Sequence, residues 1–282
     1  MAQNKTAPVF LIICEGVSDR EVLRSIRLYI MWKYHDASKT IKPKIEIFYT
    51  DGDTLETYKK DKDKRIIGKY IHSECTDLIA ERIKGDISDL VNSRKIPLDS
   101  IRAVFMVTDT DGVFISDDDI FPDSPYNAKT YYGDDGIYTH SYGKRKSIIE
   151  RNAMKRDNIE WIRRGNPIHI TIGENSRDFP IRLYYMSCNL DHVIVDDSNN
   201  YGKFETAANW LERMIISRSE QKVYDFFDNR LPSSGNFKES WAYISEFGTK
   251  RSLERGTNCK FILDTLDAYI QRQLVSEVKS RE

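Results

Sequence analysis

Cysteine is scarce in this sequence. Its four cysteines are scattered over 282 residues, and no two of them form a CxxC pair. Because a zinc ribbon or a disulfide framework needs paired or closely spaced cysteines, neither is indicated. We therefore expect reduced, buried cysteines at Cys14, Cys75, Cys188 and Cys259.

Long hydrophobic runs are also lacking. The longest clean apolar run near the start covers only residues 9–14, which is too short for a signal-peptide core or a membrane span. With 40% hydrophobic and 11% aromatic residues, the chain can nevertheless bury a substantial core. We predict a soluble, cytoplasmic protein with no membrane partner.

Several motifs that define common enzyme classes are missing. The five histidines show no HxH or HExxH spacing, and neither a GxSxG elbow nor a GxxxxGK[ST] phosphate loop occurs. These absences disfavour zinc enzymes, serine hydrolases and self-contained ATPases. The net charge of -1 permits a polyanionic partner but does not indicate one, because most nucleic-acid binders are more basic.

The hydrophobic pattern alternates between strands and helices. We predict strands at residues 8–14, 44–50, 101–108, 168–172 and 181–187. We predict helices after Gly16, at residues 66–94 with a break near Gly85, at residues 144–164 with a charged, partly exposed surface, and from residue 201 onward. This order indicates an α/β fold, with a mainly parallel sheet flanked by helices. Residues 113–142 contain many Asp, Gly, Pro and Tyr residues and have little periodicity, which predicts a long irregular insertion.

Acidic residues follow two of the predicted strands. Glu15 ends the first strand, and Asp109 and Asp111 end the third. In an open parallel sheet the carboxyl ends of the strands border one crevice, so these side chains should meet there. Positions i and i+2 of an extended chain share a face, which would let both aspartates reach one cation. Asp19, one helical turn after Glu15, is a further candidate ligand.

Three carboxylates provide hard oxygen ligands of the kind that Mg²⁺ prefers, with Mn²⁺ as an alternative ion. Gly16 and Gly112, each directly after an acid, would let the chain turn sharply beside a ligand. Each motif has a plain structural alternative, because a strand-end aspartate often only caps a helix or forms a turn. The combination of both motifs in this order favours a functional site.

The segments FLIICEGVSDREVL and VFMVTDTDG resemble the Toprim domain, which topoisomerases, bacterial primases, maturation ribonucleases and overcoming-lysogenization-defect nucleases share. The resemblance covers roughly residues 8–115, and strands near 168–188 would complete the sheet. It implies that Glu15 acts as general acid or base and that Asp109 and Asp111 bind Mg²⁺. The domain division it suggests is a Toprim-like catalytic domain at 1–200, with an insertion at about 113–165, and a helical region at 201–282.

A second, looser resemblance concerns YYMSCNLDHVIVDD and the following YGKFETAANWLERM, which are similar to the closing strand and turn of Toprim nucleases from bacterial defence systems. It adds Asn189, Asp191, His192 and Lys203 as candidates, and Lys203 could stabilise charge on a phosphate. The basic residues of the 144–146 cluster are an alternative source of that charge. Tyrosines of the insertion could stack on bases or pack on their own domain.

A topoisomerase would need a longer chain and a primase usually carries a zinc ribbon, so the resemblance favours a metal-dependent nuclease that cuts DNA or RNA. By analogy it would be an anti-phage effector or toxin, with a separate ATPase as partner. A non-catalytic module that binds nucleic acid or nucleotide is an alternative, and so is an enzyme acting on small phosphate compounds. Apolar faces near residues 210–216 and 263–274 would suit either a homodimer or ordinary core packing.

Overall fold

The computed structural model describes residues 7–34, 45–51, 58–60, 66–69, 72–122, 124–126, 130–200, 202–233 and 235–279. Its strands are β1 (Val9–Cys14), β2 (Glu46–Asp51), β3 (Tyr58–Lys60), β4 (Ile66–Lys69), β5 (Ile101–Asp109), β6 (Ile120–Phe121), β7 (Thr130–Gly133), β8 (Gly136–Thr139), β9 (Ile168–Ile172), β10 (Asn175–Phe179) and β11 (Ile181–Met186). Its α-helices are α1 (Val17–Tyr34), α2 (His72–Asn92), α3 (Tyr142–Arg163), α4 (Leu190–Val195), α5 (Lys203–Ser217), α6 (Glu220–Asp228), α7 (Phe237–Ile244) and α8 (Lys260–Lys279). Short 3₁₀ helices occur at Leu98–Ser100, Asp117–Asp119 and Arg251–Leu253.

The main sheet has the strand order β11-β5-β1-β2, and all of its pairings are parallel. β1 and β5 therefore lie in the middle, where both faces are covered. This position explains why their sequences are nearly continuous runs of apolar residues. The predicted α/β class with a mainly parallel sheet is confirmed.

Helices cover both faces of the sheet, and alternate residues of β1 point to opposite sides. Phe10, Ile12 and Cys14 pack in one core with residues of α1, α5, α6 and α8. Val9, Leu11 and Ile13 pack in a second core with residues of α2, α3 and α7.

The predicted helix at residues 66–94 is wrong at its beginning and at its break. Residues 66–69 form β4, which pairs with β3, and one continuous helix, α2, follows. Gly85 lies inside that helix. A glycine costs about 1 kcal/mol in a helix interior, and burial of the apolar stripe of α2 on the sheet outweighs that cost. The buried stripe consists of Ile79, Ile83, Ile87 and Leu90.

The insertion is more ordered than predicted. β8 pairs with β7 in antiparallel fashion and with β6 in parallel fashion, which makes a small separate sheet. These strands have four residues or fewer. Runs this short carry too little periodicity to be recognised in a sequence.

One of the two strands expected to complete the main sheet does not join it. β11 pairs with β5 as predicted, whereas β9 forms a hairpin with β10. β10 was missed because its sequence, NSRDF, is mostly polar. Gly173 has a φ of +60° between the two strands, a conformation that glycine adopts without steric cost.

The C-terminal region is helical, as predicted, and it packs on the sheet. Leu263, Leu266 and Ile270 of α8 are fully buried in the same core as β1. Trp210 of α5 is also buried there, so these apolar residues serve core packing, while Ile216 is 72% exposed. None of the helices in the described ranges is long and apolar enough to cross a membrane.

The cysteines that can be assessed are free and buried, as expected. Cys14, Cys188 and Cys259 all have zero solvent exposure. The side chain of Cys75 lies outside the described part of the chain.

Candidate functional site

The carboxyl ends of β1 and β5 bring two predicted acids together. Glu15 directly follows β1, and Asp109 is the last residue of the neighbouring β5. The backbone N–H of Asp109 donates to Glu15 Oε1 at 3.2 Å, and the hydroxyl of Thr108 donates to the same oxygen. Residues separated by 94 positions in sequence are thus in direct contact, as the parallel sheet predicts.

Asp111 reaches the site by a different route from the predicted one. It does not continue the extended strand, since it lies in a turn with a φ of +49°. Its backbone N–H donates to Cys188 O at 2.7 Å, and Thr110 Oγ1 accepts from Cys188 N at 2.8 Å. The turns that follow β5 and β11 are therefore joined by hydrogen bonds. These bonds stabilise the left-handed conformation of Asp111, which costs about 1–3 kcal/mol for a non-glycine residue.

Gly112 is required in this turn, whereas Gly16 has no comparable role. Gly112 has a φ of +65°, and a Cβ there would lie 2.6 Å from Leu253 Cδ2. Gly16 does not adopt a left-handed conformation, and a Cβ there would meet Asp19 Oδ2 at 3.2 Å. Only the prediction for Gly112 therefore has a backbone reason.

A buried lysine joins the acids. Lys155 of α3 is 5% exposed, and its Nζ lies 2.8 Å from Asp111 Oδ2 and 3.1 Å from Glu15 Oε1. Both carboxylates are about one-fifth exposed, with values of 20% for Glu15 and 22% for Asp111. A charge-assisted contact of this kind, shielded from water, is much stronger than a surface ion pair.

The sequence prediction missed Lys155 because residues 144–164 were interpreted as a charged, partly exposed helix. A signal was nevertheless present. Lys155 falls on the helical stripe of Ile148, Ile159 and Ile162, all of which are buried. A lysine within an apolar stripe needs a buried partner, and Asp111 and Glu15 supply it.

Other groups on α3 and in the insertion surround Asp111. Arg151, one turn before Lys155, donates from Nη2 to Asp111 O at 3.1 Å. The hydroxyl of Tyr132 lies 3.4 Å from Asp111 Oδ1. Arg151 was not identified from sequence, and Tyr132 was considered only as one of the insertion tyrosines that could stack on bases.

The acids differ in their electrostatic environment. Burial, followed by the charge of the nearby Glu15, raises the pKa of Asp19 to about 7. Burial also holds the pKa of Asp109 well above its ordinary value, with Asp19, Glu15 and Asp111 adding to the effect. For Asp111, burial opposes ionisation, but Lys155 and Arg151 outweigh it and lower the pKa to about 2. Asp19 and Asp109 therefore carry less negative charge than ordinary aspartates, whereas Asp111 is held in its ionised form.

Lys203 lies at the margin of this cluster. Its side chain is 55% exposed, and its Nζ is 3.8 Å from Asp191 Oδ2. Burial lowers the pKa of Lys203, but Asp109, Asp191 and Asp111 outweigh that effect and raise it above its ordinary value. Its charge therefore faces the acids from the solvent side.

The other candidates near α4 have structural roles. Asn189 caps α4 by accepting from His192 N at 3.0 Å. Asp191 is fully buried and accepts from Asn200 Nδ2 at 3.0 Å. The His192 ring lies 3.5 Å from Asp196. Asp191 touches the site through Lys203, while Asn189 and His192 shape the neighbouring loop.

The remaining charged and aromatic candidates make local contacts. Arg145, in the 144–146 cluster, donates to Ile120 O at 2.6 Å. Tyr126 stacks on Tyr131 with ring centroids 3.6 Å apart. These contacts agree with packing roles in the insertion.

The residue types of the cluster match the predicted metal site. Clustered carboxylates are suitable ligands for a hard divalent cation. In the described part of the chain, however, no three His, Cys, Asp or Glu side chains are grouped so that they could hold an ion. The Lys155 ammonium lies between Glu15 and Asp111, where a shared cation would be expected.

Comparison of the chain with protein-family models, with curated proteins and with solved structures found no match. The fold and the geometry of the acidic cluster are therefore the basis for the functional argument.

Proposed function

We propose that this chain is a metal-dependent endonuclease of Toprim type that cleaves phosphodiester bonds in DNA or RNA. The observation that carries the proposal is the contact between the Glu15 carboxylate and Asp109, at the ends of two neighbouring parallel strands. Asp111 and Asp19 adjoin it, and the cations Lys155 and Lys203 lie alongside.

In this proposal Asp109 and Asp111 would hold Mg²⁺ or Mn²⁺, with Glu15 and Asp19 nearby. When bound, the ion would neutralise phosphate charge and supply an activated water. Glu15 would act as general acid or base, accepting a proton from the attacking oxygen as a carboxylate or donating one to the leaving oxygen as a carboxyl group, and Lys155 fixes its orientation through Oε1. The exposed ammonium of Lys203 attracts the phosphate of the substrate.

A second candidate function is a nucleic-acid or nucleotide binding module without catalysis. The position of Lys155 favours it, because an internal ammonium already compensates Glu15 and Asp111. In that case the four acids would be a structural cluster.

Cleavage assays separate the two functions. Purified protein is incubated with supercoiled plasmid or total tRNA, in the presence of Mg²⁺, Mn²⁺ or chelator. Glu15→Gln and Asp109→Asn are compared with Glu174→Gln, which changes an exposed acid of the β9–β10 turn. The nuclease proposal expects cleavage that needs metal, is lost in the first two variants and persists in the third.

Folded protein that binds these polymers without cutting them under any condition would support the binding module instead. Cleavage that persists in chelator or in Asp109→Asn would contradict the proposed site. The substrate that is cut would identify DNA or RNA as the target.

We also propose, by analogy with Toprim nucleases of bacterial defence systems, that the chain is an effector or toxin restrained by a separate ATPase. Induced expression of the chain alone should then slow bacterial growth more than expression of Asp109→Asn. Equal growth would argue against toxicity of the unrestrained protein.

A further inference from the structure

A cavity of about 520 Å³ lies at the edge of the sheet opposite the acidic cluster. Phe10, Arg102 and Pro180 line it at the amino ends of β1, β5 and β11. Arg102 and Asp109 are near opposite ends of β5, so the two sites are roughly 20 Å apart at about 3.3 Å per residue. The cavity is therefore separate from the proposed catalytic site.

One wall of the cavity is a single face of α8. The lining residues of this helix recur at helical spacing, and they are Thr265, Tyr269, Arg272, Gln273 and Ser276. The floor is aromatic: the Phe10 ring packs against Phe105 at 5.7 Å and edge-on to Tyr269 at 5.1 Å between centroids. Phe10 is only 2% exposed and Phe105 is fully buried, so the partly exposed Tyr269 is the ring that a flat apolar group would contact.

The cavity is strongly basic. Arg102, Arg182 and Arg272 line it, and among the described residues no Asp or Glu does. Arg182 Nη1 donates to Thr265 Oγ1 at 3.2 Å, and Arg272 Nε donates to Ala268 O at 3.0 Å. These bonds orient two guanidinium groups and leave other N–H donors for a ligand.

Guanidinium groups bind phosphates through paired N–H donors. Three guanidinium groups together are better suited to a ligand with several negative charges than to a ligand with a single carboxylate. The volume is within the range of small-molecule sites, about 300–1,000 Å³. Hydroxyl and amide groups of Ser276 and Gln273 add hydrogen-bonding capacity.

We propose that this cavity binds a nucleoside di- or triphosphate, with the base against the Tyr269 ring and the phosphates against the arginines. The site does not depend on the proposed nuclease activity. It gives the chain a nucleotide-binding site on the side of the sheet away from the acids.

Isothermal titration calorimetry in the presence of chelator tests the proposal, with ATP, GTP and inorganic tripolyphosphate as probes. Chelator removes metal-mediated binding at the acidic cluster. We expect ATP or GTP to bind, with affinity reduced roughly tenfold in Arg182→Gln and in Arg272→Gln. Arg213→Gln, an exposed arginine of α5, and Asp109→Asn should bind as the unchanged protein does.

Tyr269→Leu separates recognition of the base from attraction of the phosphates. It should weaken ATP or GTP binding by several fold and leave tripolyphosphate binding unchanged. Thermal melts verify that each variant is folded.

Three results would overturn the proposal. The first is no binding of either nucleotide, and the second is equal affinity for tripolyphosphate and nucleotide, which would mean a plain anion patch. The third is arginine-dependent binding of a single-stranded oligonucleotide without binding of ATP or GTP.

Discussion

Lys155 Nζ lies 2.8 Å from Asp111 Oδ2 and, on its other side, 3.1 Å from Glu15 Oε1. One ammonium thereby connects residues that follow two neighbouring strands of the sheet. A metal ion shared by Glu15 and Asp111 would place a positive charge at the same position. Lysine and metal are therefore expected to compete for the same carboxylates.

Replacing Lys155 by methionine should reveal this competition. Removing the cation leaves Glu15 and Asp111 uncompensated, which should lower the free energy of unfolding by about 1–3 kcal/mol in chelator. The freed carboxylates should then bind Mg²⁺ more tightly, so the ion should raise the melting temperature more in Lys155→Met than in the unchanged protein.

Thermal melts with chelator and with a Mg²⁺ series measure both effects. Lys146→Met, on the exposed side of the same helix, should change neither. Equal Mg²⁺ stabilisation of Lys155→Met and the unchanged protein would contradict the competition.

The environment of Asp19 predicts a pH dependence of stability. Burial, followed by the charge of Glu15, raises its pKa in the folded chain from 3.8 to about 7. The folded state therefore binds more protons than the unfolded state between these values, and stability falls as the pH rises from about 4 to about 7. Each unit of pKa difference corresponds to about 1.4 kcal/mol.

Asp19→Asn removes this titration. In chelator, the variant should be more stable than the unchanged protein at pH 8, by on the order of 1–3 kcal/mol, with a smaller difference at pH 5. Urea unfolding at the two pH values measures it. A difference that does not change with pH would show that Asp19 titrates normally.

Lys203 should affect both activity and stability. Its ammonium is exposed, but its partner Asp191 is fully buried, so Lys203→Gln should lower the free energy of unfolding by about 1–3 kcal/mol. If the nuclease proposal holds, cleavage should slow roughly tenfold to a hundredfold, because a cation that faces the phosphate is lost. Initial cleavage rates of Lys203→Gln are compared with those of Lys222→Gln, which changes an exposed lysine of α6. Equal rates for the two variants would show that Lys203 does not act in cleavage.

The shared core predicts that residues 201–282 are needed for folding. Leu263 is fully buried beside β1 and α1, so Leu263→Ala should lower the free energy of unfolding by about 2–5 kcal/mol. The matched control Val275→Ala changes a residue that is 54% exposed. It should alter the free energy of unfolding by less than about 0.5 kcal/mol.

A fragment ending at residue 200 would lack α5, α6 and α8 and expose one face of the sheet. It should be insoluble or unfolded by circular dichroism. A soluble, cooperatively unfolding fragment would instead favour the division into a catalytic domain at 1–200 and a separate helical region.

The parts of the fold that could be predicted share one property. Each has a run of apolar residues long enough to be distinguished from a chance pattern. β1 and β5 are runs of buried residues, so their ends, and with them Glu15 and Asp109, were located within a residue. Parallel-sheet geometry then predicted that the two acids meet.

The parts that were missed depend on contacts made far along the chain. Lys155 pairs with Glu15 across 140 residues, and the sequence of its charge-rich helix does not identify that partner. The position of Asp111 results from hydrogen bonds to the turn after β11, which no pattern within VFMVTDTDG contains. The apolar stripe around Lys155 was the only local indication.

The location of Lys155 in the connection from β5 to β11 limits how the length of this chain can vary. An α-helix turns by about 100° per residue, so one residue inserted in α3 between Arg151 and Lys155 would rotate the ammonium away from Asp111. Residues added at Gly173, in the hairpin turn after α3, would leave that contact intact. Length changes in homologous chains should therefore accumulate at the hairpin, while the number of residues from Ser141, which caps α3, to Lys155 should stay constant.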